Sequence, residues 1–170
     1  MIDSVSYWAE EYNLDGFRFD LMGIHDVTTM NQIRKTLDDK FGEDTIVLYG
    51  EGWTGDGKYD SNSAHKANEA KLDDGIGYFN DQIRDALKGD HKFNKTIGLV
   101  QTNYFSGSYL EPGEKWPNNV FGGIMGSVGK TEGEWGMWRP FWSKSSNCSL
   151  SYVSAHDNLT LWDKLTEGLG

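Results

Sequence analysis

Three acidic residues each follow a strand-like run: Asp20 in GFRFD, Glu51 in LYGEGW and Asp157 in SAHDN. One strand–helix–strand unit separates the first two, which places them on adjacent strands of a parallel sheet. A parallel α/β barrel gathers the C-terminal ends of its strands at one mouth, where active sites form. Carboxylates so placed can divide the cleavage of a glycosidic bond. One attacks the sugar carbon while the other, kept protonated, donates to the leaving oxygen.

Arg18 separates the two roles. It precedes Asp20 by two residues on a strand, so both side chains point to the same side. A guanidinium there holds the Asp20 carboxylate ionised, which suits a nucleophile and not an acid. Glu51 has Gly50 and Gly52 beside it and Trp53 two residues on. An apolar, water-poor setting would favour the protonated carboxyl that a general acid needs.

Each piece alone has a plainer explanation. An Arg-x-Asp pair is more often a structural ion pair, and a Glu between glycines can simply sit in a turn. His156 can be a satisfied core histidine and Asp157 a helix cap. The specificity lies in the combination and its order.

Four helices are expected around these strands. Asp3 to Tyr12 carries Val5, Trp8, Ala9 and Tyr12 at helical spacing behind an Asp3 cap. Val27 to Phe41 stripes Met30, Ile33, Leu37 and Phe41 between Asp26 and Gly42. Asp81 to Lys88 ends at Gly89, and Thr160 to Leu165 follows an Asn158 cap. Strands are expected at Leu14 to Asp20, Thr45 to Tyr49, Ile76 to Phe79 and Leu150 to Ala155. Such alternation is the pattern of a parallel sheet with crossover helices. Residues 98–149 break the rhythm with Gly, Ser and Trp and no sustained periodicity. They read as a long insertion, and long loops in compact domains are usually functional.

Composition bounds the rest. The chain has 170 residues, 37% of them hydrophobic and 14% aromatic, which indicates a globular class. A net charge of −10 without a basic block argues against nucleic acid. No apolar run reaches the ~18 residues of a membrane helix. The opening MIDSVSYWAEE lacks the pattern of a secretory leader, but the true N-terminus can lie upstream, so the compartment stays unassigned. Cys148 is the single cysteine, which excludes an internal disulfide and a Cys-rich zinc site.

DGFRFDLMGIHD, LYGEGW and YVSAHDNLTLWDKL resemble the second, third and fourth sequence regions of glycoside hydrolase family 13. Their wording is similar to the type I pullulanase branch of debranching enzymes. YFNDQIRDALKG resembles the strand and helix that lie between the third and fourth regions there. The likeness runs from about Asp3 to Leu165 and is least diagnostic between Gly98 and Ser149.

The resemblance implies a partial (β/α)8 TIM barrel, roughly strands four to seven, as a piece of one catalytic domain. It implies cleavage of α-1,6-glucosidic links in pullulan and branched starch or glycogen fragments, with an α-glucan as the partner. Asp20 would be the nucleophile, Glu51 the acid/base and Asp157 the third carboxylate that holds sugar hydroxyls. Arg18 and His156 match the family's partners of these acids. His25 lies near the sugar subsites by this likeness, and Trp53 would be a stacking platform for a sugar face. Trp116, Trp135, Trp138 and Trp142 divide between loop packing and glucan contact. No organic cofactor is required, and a structural calcium is compatible although no segment identifies its site.

The first sequence region, the eighth strand and the C-terminal sandwich have no counterpart in these residues. The segment is therefore expected to be inactive and poorly soluble by itself, since a cut sheet exposes raw edges. Three rival readings stay open. One is an α-1,4-acting amylase or glycogen-debranching relative, and another is a noncatalytic carbohydrate-binding module. The third is a metal-dependent hydrolase with His25, Asp26, His156 and Asp157 as ligands, although no further His stands at ligand spacing.

Overall fold

The computed structural model describes residues 1–55, 57–89, 97–101, 116–129 and 141–169. Their order is α1 (Ile2–Tyr12), β1 (Gly16–Phe19), α2 (Val27–Phe41), β2 (Val47–Gly50), β3 (Ile76–Asn80), α3 (Asp81–Lys88), α4 (Trp116–Ile124), β4 (Ser149–Ser151) and α5 (Leu161–Leu169). The chain forms two compact units, Met1–Phe79 with Trp142–Leu150, and Asn80–Phe141 with Ser151–Gly170.

The first unit carries the sheet. β1 pairs with β2 in parallel, with Phe17 opposite Leu48 and Phe19 opposite Gly50. β2 pairs with β3 in parallel, with Leu48 opposite Ile76 and Gly50 opposite Tyr78. The strand order is β1-β2-β3-β4. Successive side chains alternate faces, so Phe17, Phe19, Leu48, Ile76 and Tyr78 share one face. That face packs on Val5 and Ala9 of α1 and on Met30, Ile33 and Leu37 of α2. Each fully buried aliphatic side chain there contributes about 2 kcal/mol. The opposite parity carries Arg18, Tyr49 and Phe79, and that is the face the chemistry occupies.

Local chemistry explains the helix limits. Asp26 caps α2: its Oδ1 accepts from the Thr29 amide at 2.8 Å and its Oδ2 from the Thr29 hydroxyl at 2.7 Å. These bonds hold the Asp26 carboxyl below the usual carboxylate range. Gly42 stops the helix at φ 100°. Buried Arg34 then ties α2 to the sheet, donating to the Ile46 carbonyl at 2.6 Å while Asp38 takes its fork at 3.0 and 2.5 Å.

Two expected caps are corrected. Met1, not Asp3, precedes α1, and Asp3 sits in the first turn, where its charge favours the helix dipole. In α1 the buried positions are Val5, Ser6 and Ala9. Trp8 and Tyr12 instead stand exposed with Tyr7 in an aromatic cluster, Trp8 and Tyr12 ring centroids lying 4.6 Å apart.

The second unit joins three helices. Asn80 caps α3 by accepting from the Gln82 amide at 3.2 Å. α3 and α4 approach closely because Gly123 has no side chain; a Cβ there would lie 2.3 Å from Ile83 Cβ. α4 is a helix inside the stretch that showed no periodicity. Its Pro117 is tolerated in a first turn, and its two glycines blur the apolar spacing. Thr160, not Asn158, caps α5: its hydroxyl accepts from the Asp163 amide at 3.2 Å and donates to the Asp163 carboxylate at 2.7 Å. No helix among the described residues is long and apolar enough to cross a membrane.

Candidate active site

The β1–β2 register brings two carboxylates together. Phe19 opposes Gly50, so Asp20 and Glu51 follow side by side at the C-terminal ends of adjacent strands. The Glu51 amide continues the ladder, donating to the Phe19 carbonyl at 3.1 Å. One oxygen of Asp20 and one of Glu51 lie within 4.8 Å of each other. Their surroundings differ sharply. Glu51 is 3% exposed, whereas the Asp20 side chain is 64% exposed.

Arg18 bridges the pair with a single nitrogen. Its Nη2 lies 3.1 Å from Asp20 Oδ1 and donates to Glu51 Oε1 at 2.6 Å. The strand parity placed Arg18 beside Asp20, but the guanidinium stands nearer Glu51 than Asp20, so Arg18 by itself does not separate the two roles. Phe79 supports the guanidinium, whose carbon stands 5.5 Å from the ring centroid. That contact follows from β3 having the same facing parity.

The Glu51 carboxylate is fixed from a second side. The Leu21 amide donates to Glu51 Oε2 at 2.7 Å, and the Gly23 amide to the Glu51 carbonyl at 3.0 Å. Leu21 adopts φ 44°, ψ 45°, a left-handed conformation that costs a branched residue about 1 kcal/mol. The turn after β1 accepts that cost and aims its amides at Glu51. No sequence signal marks Leu21, because leucine is not a residue that favours this conformation.

Glycine on both sides of Glu51 has a steric cause. A Cβ at Gly50 would lie 2.7 Å from the Phe19 carbonyl oxygen and from Met22 Cβ. A Cβ at Gly52 would lie 2.6 Å from the Tyr78 ring. The GEG run therefore lets the β2 end sink against β1, β3 and the Leu21 turn.

The remaining expected residues fall as follows. Trp53 is half-buried, its ring centroid 6.5 Å from that of Phe79. His25 is half-buried and meets Phe19 edge-on at 6.4 Å. His156 and Asp157 belong to the second unit, in the exposed turn between β4 and α5, with His156 Nε2 3.3 Å from Asp157 Oδ1. Lys88 donates to the Leu159 carbonyl at 2.6 Å and so ties that turn to α3. Trp142 packs against the core of the first unit. Trp116 begins α4, while Trp135 and Trp138 lie outside the described residues.

Both Asp26 oxygens accept from Thr29, which ties that carboxylate to the start of α2. In the turn at 60–63, Asp60 Oδ1 accepts from the Asn62 amide and the Ser63 hydroxyl at 2.8 and 3.2 Å.

Parallel βα units with a buried and an exposed carboxylate at neighbouring strand ends make this chain a stretch of a (β/α)8 barrel with mouth residues in place. That stretch is similar to part of several pullulanases. The chain is 40% identical to the pullulanase of Bacillus subtilis (strain 168) over 98% of its own length and 21% of the relative's. Against Pullulanase 1, chloroplastic, of Arabidopsis thaliana the identity is 28%, over 95% of this chain and 20% of that one.

Among solved structures, the pullulanase of Paenibacillus barengoltzii in complex with maltohexaose and α-cyclodextrin superposes with a TM-score of 0.79. It is 36% identical, over 98% of this chain and 23% of that one. The type I pullulanase of Bacillus subtilis str. 168 complexed with maltose gives 0.77 at 36% identity, over 99% of this chain and 21% of that one. No protein-family model matches the chain. The chain thus spans about a fifth of the length of these relatives.

Proposed function

We propose that the intact protein carrying this segment is a retaining glycoside hydrolase that cleaves α-1,6-glucosidic links in pullulan and branched starch fragments. The observation that carries this reading is the Asp20–Glu51 pair, with oxygens within 4.8 Å and one shared Arg18 nitrogen. Retaining enzymes hold their two carboxyls about 5–5.5 Å apart, whereas inverting ones leave room for a water at about 6.5–9.5 Å.

Asp20, exposed at the strand end, attacks the anomeric carbon and forms a glycosyl ester. Glu51, buried, protonates the departing oxygen and then deprotonates the water that hydrolyses the ester. Arg18 spreads its charge over both carboxyls and keeps two acids compatible at close range. Asp157 and His156 hold sugar hydroxyls, Trp53 offers a ring face to a glucose unit, and His25 borders the subsites. The segment supplies roughly the fourth to seventh strand–helix units of one catalytic domain, with residues 98–149 as its insertion. Two carboxylates supply both nucleophile and proton, so the chemistry calls for no organic cofactor.

Product analysis on pullulan tests the reading. The intact protein is expected to release maltotriose as the end product. Panose or isopanose, the products of α-1,4 cleavage, would move the assignment to an amylase-type activity.

A further inference from the structure

Lys66 sits in a short, polar 3-10 stretch, Lys66–Lys71, in which nothing in the sequence suggests a role. Its side chain is half-buried and runs between two indoles. The ammonium stands 4.5 Å from the Trp142 ring centroid and 5.5 Å from that of Trp53. It also donates to the carbonyl of Phe79, in β3, at 2.9 Å. Its backbone is tied to the same place, with the Lys66 amide donating to the Gly52 carbonyl at 2.9 Å. Gly52 permits this approach, since a Cβ there would lie 2.9 Å from Lys66 Cβ.

Trp53 is the first residue after Gly52, at the start of a turn-rich stretch without regular structure. A ring on such a segment has many orientations open to it. A cation held against one ring face by a carbonyl and a second indole removes most of them, because the attraction depends on the cation lying over the π-face. Trp142 is itself anchored edge-on against buried Tyr78, at 5.9 Å and 85°. The cation is thus referenced to the core, and Trp53 is referenced to the cation.

We propose that Lys66 is a positioning residue that fixes the Trp53 indole as a sugar platform, an inference that rests on the glucan-active reading above. A platform fixed before binding spares the sugar the cost of ordering it. Lys66 therefore acts on affinity and leaves the chemical step alone.

The test uses the intact protein and maltotetraose as the probe, titrated by calorimetry. K66M, which keeps the stem and removes the charge, is expected to weaken binding about tenfold, while K66R stays within about twofold of wild type. In a Trp53→Ala background the same K66M change is expected to have little effect, since its object is gone. On pullulan, K66M raises KM and leaves kcat within about twofold. K66Q keeps a donor for the Phe79 carbonyl without the charge, and gives the same reading if K66M folds poorly.

Unchanged binding in K66M or K66Q, or an equal loss in the Trp53→Ala background, overturns the proposal. A wild-type protein that hydrolyses pullulan while these variants bind normally sinks the Lys66 inference alone. A wild-type protein that binds maltotetraose with these couplings but hydrolyses nothing sinks the hydrolase reading and leaves Lys66 in its role.

Discussion

Replacing Arg18 with Met in the intact protein lowers kcat/KM on pullulan by about a thousandfold, the scale of losing one preorganised electrostatic partner. Two carboxylates whose oxygens lie within 4.8 Å lose the guanidinium they share. One of them, Glu51, is 3% exposed and cannot turn to water for compensation. Removing one member of such a buried pair leaves the other uncompensated and costs about 3 kcal/mol of stability. A lower melting temperature is therefore expected together with the lost activity. Lysine does not repair the site, because its stem ends one bond short of the Nη2 position that meets both acids and it has no planar group to lie over Phe79. Adding Glu51→Gln to Arg18→Met removes the stranded charge. The double variant is expected to regain stability and stay inactive. A double variant as unstable as Arg18→Met alone would show that Arg18 supports the fold through Phe79 and not through the carboxylates.

Glu51→Gln alone separates chemistry from folding. A glutamine carbonyl can still accept from the Leu21 amide, which donates to Glu51 at 2.7 Å, so the turn after β1 keeps its anchor. Melting temperature is expected to fall, but by less than in Arg18→Met, because the amide nitrogen faces Arg18 where a carboxylate oxygen stood while Asp20 still pairs the guanidinium. The proton donor is gone, however, and general acid–base groups contribute on the order of 10²–10⁴ in rate. kcat on pullulan is expected to fall by about a thousandfold with KM nearly unchanged. α-Maltotriosyl fluoride has a leaving group that needs no protonation, so its first step should survive the substitution. A variant that loses affinity and keeps kcat would place Glu51 among the sugar-holding residues and outside the chemistry.

Where the sequence was legible, the signals were short-range. α2 and α3 fall where periodicity and caps placed them, because Asp26, Gly42 and Gly89 are unambiguous stops and starts. Arg18 beside Asp20 follows from the two-residue repeat of a single strand. The Asp20–Glu51 pairing follows from one strand–helix–strand unit. What stayed hidden depends on residues distant in sequence. Arg18 reaches Glu51 across a ladder whose register no single strand reveals. Lys66 meets Trp142 through the fold alone, and a lone lysine in a polar run carries no signal. α4 escaped because Pro117, Gly122 and Gly123 mask its period, although Gly123 is what allows α3 to approach. The Asn158 cap failed for a local reason: Asn158 takes φ 62°, and Thr160 stands nearer the helix start.

The Asp20–Glu51 assignment meets its most direct test in a trapping experiment. The Glu51→Gln variant of the intact protein is incubated with α-maltotriosyl fluoride, digested, and its peptides are weighed by mass spectrometry. Without Glu51 as base, the ester formed in the first step should hydrolyse slowly and accumulate. The expected result is one maltotriosyl group on the peptide containing Asp20, located at that carboxylate by fragmentation. An adduct on a different residue, or fluoride release with no covalent adduct and an inverted product, would contradict the assignment.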